Sequence, residues 1–393
     1  MTRVFVSVWL IASLALGFIA LWIVVPPFVS GLLPLTVGVP ELTPWLLAVA
    51  LLVCAATYRG FAVDATARAA FEVSAVAALL LAYPIVRVPR MLNAFDRAME
   101  QGLGGSYADQ IPAASRIELR THALSLRELF RGIAEPDVSV RRGIEFAAPA
   151  GVPLTLDVYR PRSAGLHPVL VQIYGGAWQR GSPEDNSSFA SWFAARGYVV
   201  VAVDYRHAPG AMWPTQIADV RSAIGWVIAH ADEVEADSRR IALLGRSAGA
   251  QLALVAAYQG TPLVRAAVGY YGPTDLAEGW REPPRPDPLD VRSILESYLG
   301  GPPDRVPNAY HDASPVTYVS RQVPPTLLIY GSRDHVVEAR FGRELHDRVR
   351  EAGAASVLLE IPWADHAFDA IPNGLGAQIA LYYTERFLAW ALR

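Results

Sequence analysis

One stretch limits what this chain can fold into more than any other: Arg240-Ile241-Ala242-Leu243-Leu244-Gly245-Arg246-Ser247-Ala248-Gly249-Ala250-Gln251-Leu252-Ala253, an apolar run, a tight G-x-S-x-G and a helix start of small residues. Residues 241–244 read as a short buried strand and 248–257 as a helix with its small face inward, so Ser247 stands at the apex of a strand-turn-helix elbow. Gly245 and Gly249 leave room for that strained turn. A serine hydroxyl is a weak nucleophile at its free pKa; chemistry at Ser247 needs a general base and pre-aimed N–H donors beside it. The helix start points N–H groups at the same place. The rest of the chain can then be searched for a donor loop before the elbow, and for an acid and a histidine after it.

With 393 residues there is room for a large α/β domain and about 100 residues more. Apolar residues make up 52% and the mean hydropathy is +0.25, an excess concentrated in the first 90 residues, which points to membrane attachment. Residues 4–25 are uncharged and apolar, about 33 Å long as a helix, and Pro26-Pro27 ends them. Arg3 supplies only a minimal charged start and no small-x-small site follows, so an uncleaved span is favoured over a signal peptide. Residues 45–58 and 67–86 are the further candidates, the latter carrying Glu72 and Pro84. Three spans are expected, two being the alternative. Arg3, Arg59 and Arg68, against a 28–44 loop without basic residues, put the N-terminus inside and a C-terminal domain outside. Arg87, Arg90 and Arg97 argue the opposite way, and a two-span count reverses the orientation. The expected location is a bacterial inner membrane, its external side favoured.

The net charge of −3 gives no support to nucleic acid or another polyanion as partner. There is no lysine, which fits a high-GC coding bias. The single cysteine, Cys54, allows no intrachain disulfide and leaves the redox compartment open.

The domain plan is a transmembrane region over 1–90, a juxtamembrane linker over 91–137 and a catalytic domain over 138–393. Within the linker, 113–132 has patchy helical amphipathicity, suited either to the membrane surface or to packing on the domain. From residue 138 strand and helix patterns alternate, as in a doubly wound, mostly parallel α/β sheet. A hairpin is expected over 143–146 and 154–159, then strands at 168–174, 198–203, 266–270, 326–330 and 357–361. Residues 279–312 hold many prolines and a short helix; they read as a cap over the site or as an excursion on its rim.

Before the elbow, the strand 170–174 runs into Gly175-Gly176-Ala177-Trp178, where small residues let backbone N–H groups approach a substrate oxygen. After it, Asp334 follows the strand 326–330, and His366 in Trp363-Ala364-Asp365-His366-Ala367-Phe368 follows another. The order Ser, Asp, His, each past a strand's C-terminal end, is that of the α/β-hydrolase triad. Together with Asp157-Val158-Tyr159-Arg160-Pro161, Asp204-Tyr205-Arg206-His207-Ala208-Pro209 and Ala313-Ser314-Pro315, these segments make 138–393 resemble the α/β-hydrolase superfamily. Within it the resemblance is to carboxylesterases of the hormone-sensitive-lipase-like and BD-FAE-like (kynurenine-formamidase-like) groups. It implies Ser247 as nucleophile, His366 as general base and then acid, and Asp334 as the residue orienting the imidazole. It implies an oxyanion hole from the N–H groups of Gly176, Ala177 and Ala248. One departure stands out: the oxyanion segment opens on Tyr174 where these families usually have histidine. Prenylcysteine methylesterases and arylacetamide-deacetylase-like enzymes share parts of this pattern and make a hydrophobic ester plausible.

Tyr174, Trp178 and Trp213 are candidates for a substrate pocket, as are Trp280 and Trp363, against plain core packing. Asp275 reads as a structural loop residue, His335 as diverging from Asp334, Asp365 as facing solvent or capping a turn, and Asp204 with Arg206 as a fixed loop network. His207, His311 and His346 read as ordinary surface or loop histidines. No metal site or cofactor is expected, and the oligomeric state is left open. The expected activity is hydrolysis of carboxylic esters, small-molecule substrates met at a lipid bilayer. Alternatives are an amide-cleaving relative, formamidase or peptidase, and, of another class, a non-catalytic membrane-bound binding module. A transporter accessory is disfavoured by spans with little polarity beyond Glu72.

Overall fold

The computed structural model describes residues 3–260 and 263–393, with side chains from residue 7 onward; the Arg3 side chain, expected to flank the first span, lies outside that set. Eight strands form one sheet: β1 (Ser139–Ala147), β2 (Leu154–Arg160), β3 (His167–Ile173), β4 (Val199–Val203), β5 (Ala236–Arg246), β6 (Val264–Tyr270), β7 (Thr326–Gly331) and β8 (Ser356–Ile361). Their order is β1-β2-β4-β3-β5-β6-β7-β8, antiparallel across β1/β2 and β2/β4 and parallel from β4 through β8. The central strands are unbroken apolar runs, such as Val199-Val200-Val201-Ala202-Val203, because helices cover both faces.

The helices are α1 (Arg3–Leu21), α2 (Leu33–Glu41), α3 (Thr43–Tyr58), α4 (Ala65–Leu103), α5 (Ala113–Glu118), α6 (Leu126–Arg131) and α7 (Ser187–Ala194), followed by α8 (Thr215–Ala229) and α9 (Ala248–Tyr258). Then come α10 (Leu276–Arg281), α11 (Val291–Leu299), α12 (Pro307–Ala313), α13 (Ala339–Glu351) and α14 (Leu375–Ala391). α10 to α12 form the excursion between β6 and β7.

The N-terminal region, expected to hold three spans, is mostly helical. Among the described residues only α4 is by itself long and apolar enough to cross a membrane; residues 30–41 and 43–58 qualify as a pair, bent by 79°. α4 also passes the expected boundary at residue 90, running on through Pro84 and Pro89. A proline removes one intrahelical hydrogen bond, and packing on both sides holds the remainder. Leu81, Ala77 and Ala78 join Leu16, Ala20 and Val53 in a separate N-terminal core, whereas Met91, Phe95, Met99 and Leu103 belong to the core of the sheet domain. The amphipathic helix expected over 113–132 is two short helices, α5 and α6. Between them the chain is pulled onto α14, where the Arg120 amide donates to Glu385 Oε2 at 2.9 Å and that of Ser125 to Gln378 Oε1 at 2.8 Å.

Candidate active site

β5 ends at Arg246 and α9 begins at Ala248; Ser247 between them has φ 51° and ψ −122°, a conformation L-residues rarely adopt. The flanking glycines are dictated by contact. A Cβ on Gly245 would lie 2.0 Å from Gly249 O, and one on Gly249 would lie 2.2 Å from Tyr174 O. The second contact brings the start of α9 against the end of β3, so the elbow and the loop after β3 are locked together. The Ser247 amide, donating to Tyr270 O at 2.9 Å, ties the elbow to β6.

His366, in the loop after β8, places Nε2 2.9 Å from Ser247 Oγ and Nδ1 2.8 Å from Asp334 Oδ2. Asp334, in the loop after β7, is buried, and its other oxygen accepts from the amides of Val336 and Val337 at 2.8 and 2.7 Å. Burial pushes the Asp334 carboxyl upward, while the neighbouring imidazole opposes that. Burial alone would lower the His366 pKa; the charge and hydrogen bond of Asp334 outweigh it and leave the imidazole above its ordinary value. An imidazole so held can accept the serine proton, with the carboxylate fixing its tautomer and ring orientation.

Gly175, Gly176 and Ala177 line the same cavity as Ser247, Ala248 and His366, a space of about 440 Å³. A Cβ on Gly175 would sit 3.2 Å from Ser247 Cβ, so this loop lies directly over the elbow. Gly176 and Ala177 have positive φ, and among the described residues their amides donate to no backbone carbonyl. Leu289, Ile294 and Leu295, from the excursion between β6 and β7, roof the cavity.

Of the expected pocket residues, Trp178 lines the cavity, stacked on Tyr298 at 4.1 Å and donating to Gln251 Oε1 at 2.9 Å. Trp213 does not; it meets the edge of Tyr298 from behind, with ring centroids 6.0 Å apart. Trp280 bonds Glu296 instead, and Trp363 is core. Tyr174 lies beneath the loop rather than in the cavity. Its ring stacks on Tyr205 at 4.4 Å, and its hydroxyl donates to Asp204 Oδ1 at 2.5 Å with His207 Nε2 2.9 Å away. Burial, reinforced by Tyr205 and Asp204, pushes the Tyr174 pKa up, so the phenol stays a neutral donor. His207 is therefore part of this brace rather than an ordinary loop histidine. Asp365, expected toward solvent or in a turn, is 2% exposed: it accepts from the amides of His335 and His366 at 2.9 and 2.7 Å, with His335 Nδ1 at 2.9 Å.

Sequence reasoning passed over a second charged pair. Arg246, the variable residue of the elbow motif, bonds Asp369 Oδ2 through Nε at 2.6 Å. Asp369 also accepts from Tyr271, whose ring lies edge-on to His366 at 4.7 Å. Nothing in the spacing of Arg246 and Asp369, 123 residues apart, signals that contact. Asp275, Glu278 and Glu344 bring carboxylate oxygens within 4.8 Å of one another, but Asp275 caps α10 and Glu278 pairs with Arg340.

The mostly parallel eight-stranded sheet with a serine elbow is the α/β-hydrolase fold. Residues 156–349 match the family model BD-FAE. The chain is 33% identical over 251 residues to the probable carboxylic ester hydrolase LipM of Mycobacterium tuberculosis, covering 60% of this chain and 57% of that protein. It is 36% identical over 234 residues to esterase LipC of the same organism, covering 55% of this chain and 57% of that protein. The matches thus span under three fifths of these relatives' own length. Among solved structures, the thermostable carboxylesterase EstE1, cloned from a metagenomic library, is 25% identical with a TM-score of 0.58, covering 73% of this chain and 98% of that one.

Proposed function

We propose that this chain is a membrane-anchored serine hydrolase that cleaves carboxylic esters. The observation that carries this reading is the hydrogen-bonded series Ser247–His366–Asp334, at 2.9 and 2.8 Å, opening on a cavity walled by Gly176, Ala177 and Ala248. Ser247 Oγ attacks the ester carbonyl as its proton passes to His366 Nε2. The amides of Gly176, Ala177 and Ala248 stabilise the oxyanion. Collapse expels the alcohol, protonated by His366, and leaves an acyl-enzyme on Ser247. Water, deprotonated by His366, then attacks that acyl group and releases the acid. The similarity to carboxylic ester hydrolases supports this chemistry.

Anchoring is supported by where the exposed apolar side chains lie. Among the described residues, 19 of the 26 exposed large hydrophobics fall between Val8 and Val86. On α1 they form the stripe Val8, Ile11, Leu14, Phe18 and Leu21, and on α4 the stripe Val76, Leu79, Tyr83 and Val86, each opposite a face that is itself apolar and buried. Helices apolar on every face belong in lipid. Their hydroxyls are satisfied within the bundle, Ser13 on Trp9 O, Thr57 on Val53 O and Ser74 on Ala70 O, each at 2.8 Å.

The test combines both claims. A fluorophosphonate probe should label Ser247 in carbonate-washed membranes, and Ser247→Ala should lose labelling and lower kcat on p-nitrophenyl esters by on the order of 10⁵-fold or more. Wild-type hydrolysis by Ser247→Ala would refute the mechanism, and release of the labelled chain by carbonate would refute the anchor.

A further inference from the structure

Beside the cavity over Ser247 lies a second one, of about 410 Å³, that the ester-cleaving scheme leaves unused. The linker residues 132–136 form one wall. Phe189, Trp192, Tyr270, Pro372, Ala377 and Leu381 supply its apolar surface, with Ser187, Ser188 and Asn373 among the polar residues that complete the lining. The two cavities share Asn186, Arg246, Asp369 and Ala370. Their common partition is therefore the Arg246–Asp369 pair.

That partition is built from both sides. The Arg246 guanidinium lies 4.3 Å from the Phe189 ring centroid and 5.2 Å from that of Tyr270, both walls of the second cavity. Asp369 is bonded to Tyr271, which touches His366 on the catalytic side. Arg246 Nη1 is buried and has no hydrogen-bond partner among the described residues, so the guanidinium is held in the partition through its Nε bond to Asp369 and by the two rings.

The rim of the second cavity adjoins the N-terminal helices. Its 369–373 segment is held between α2 and α6: a Cβ on Gly38 would meet Ile371 Cδ1 at 3.7 Å, and Asn373 Nδ2 donates to Leu129 O at 2.9 Å. Phe130, two residues before the wall begins, packs on Trp45 with centroids 4.2 Å apart. Leu42, Trp45, Leu126 and Phe130 are all exposed there, so the apolar surface of the anchor continues to the edge of the cavity.

We infer that the second cavity is a tail chamber: the substrate is an ester with a long apolar tail drawn from the bilayer, its carbonyl over Ser247 and its tail passing Arg246 into the space between the linker and α14. This deepens, and rests on, the ester hydrolase reading. The test uses the full chain in detergent micelles with two ester series, p-nitrophenyl acetate to laurate and methyl to dodecyl acetate. Wild-type kcat/KM should rise with length in at least one series. Ile133→Trp and Ala377→Phe, which fill the chamber from opposite walls, should each cut the ratio of twelve-carbon to shortest substrate by about tenfold or more. Fluorophosphonate labelling checks that each variant retains a folded site. A ratio within about twofold of wild type in both variants and both series would overturn the chamber, as would loss of labelling in both, which would make its walls structural core. A wild-type chain inert on every ester, short or long, would instead sink the ester reading itself.

Discussion

His366 shows how neighbouring charges set the working range of this site. In the proposed mechanism the working form is the neutral imidazole, and Asp334, with Asp365 and Asp369 further off, raises its pKa despite burial. A raised base pKa means that protons compete for Nε2 at higher pH, so kcat/KM should fall as pH drops through a value above the ordinary 6.5 of histidine. Asp334→Asn should move that acid limb downward and lower kcat by on the order of 10⁴-fold, read from pH–rate profiles of the two proteins. An unmoved limb would mean that Asp334 does not set the imidazole's charge. Tyr174 acts one step further away. Its ring and hydroxyl reach Tyr205, Asp204 and His207 beneath the loop that follows β3. Removing a hydrogen bond to a charged acceptor costs about 1.5–3 kcal/mol. Tyr174→Phe should therefore lower kcat by about 10- to 100-fold with KM little changed, because the brace acts on loop position in the transition state rather than on ground-state binding. A rise in KM alone would assign Tyr174 to substrate contact.

At the scale of elements, what could be read in advance follows from how each element is buried. The strands around the elbow are covered on both faces and announce themselves as apolar runs; so do the glycines, whose spacing reflects contacts near 2 Å that no Cβ tolerates. That Ser247, Asp334 and His366 would meet was legible because each follows the C-terminal end of such a strand. The Arg246–Asp369 pair and the buried role of Asp365 were not, since each depends on loops that meet only in three dimensions. α4 runs past the expected end at residue 86 and on through Pro89, because packing against two cores carries the helix beyond its apolar stretch. Its far end depends on one glycine. A Cβ on Gly102 would lie 2.6 Å from Ser356 O and 2.5 Å from Val357 Cγ2, so only glycine lets α4 close on the edge strand β8. Gly102→Ala should destabilise the full chain by about 1–3 kcal/mol in thermal unfolding. Gly105→Ala, with nothing within 4 Å of its added Cβ, serves as the matched control. Equal melting of the two would mean that α4 does not close on the sheet.

For the whole molecule, the consequence of α4 is that the N-terminal bundle and the sheet domain do not separate at the linker where the sequence pattern changes. The helix carries Val88, Met91, Phe95, Met99 and Leu103 into the core of the sheet domain, and Tyr383 on α14 donates to Asp96 at 2.8 Å. The bundle also reaches the loops around the site directly. Arg333 Nη2 donates to Val24 O at 2.8 Å, and Glu41 Oε2 accepts from the Gly376 amide, beyond the loop of His366, at 2.6 Å. Burying an apolar side chain of this size contributes about 1.5–3 kcal/mol. Five of them contribute about 7–15 kcal/mol by that measure, as much as the roughly 5–15 kcal/mol net stability of an ordinary domain. A fragment of residues 138–393 should then lack a cooperative thermal transition and take up a hydrophobic dye, whereas one of residues 88–393 should melt cooperatively, because it keeps the buried half of α4 and the 120–131 segment on α14. Comparing their unfolding curves decides it: if 138–393 melts cooperatively at the same temperature as 88–393, the long helix is an appendage, and the sheet domain owes its core to the sheet and its covering helices alone.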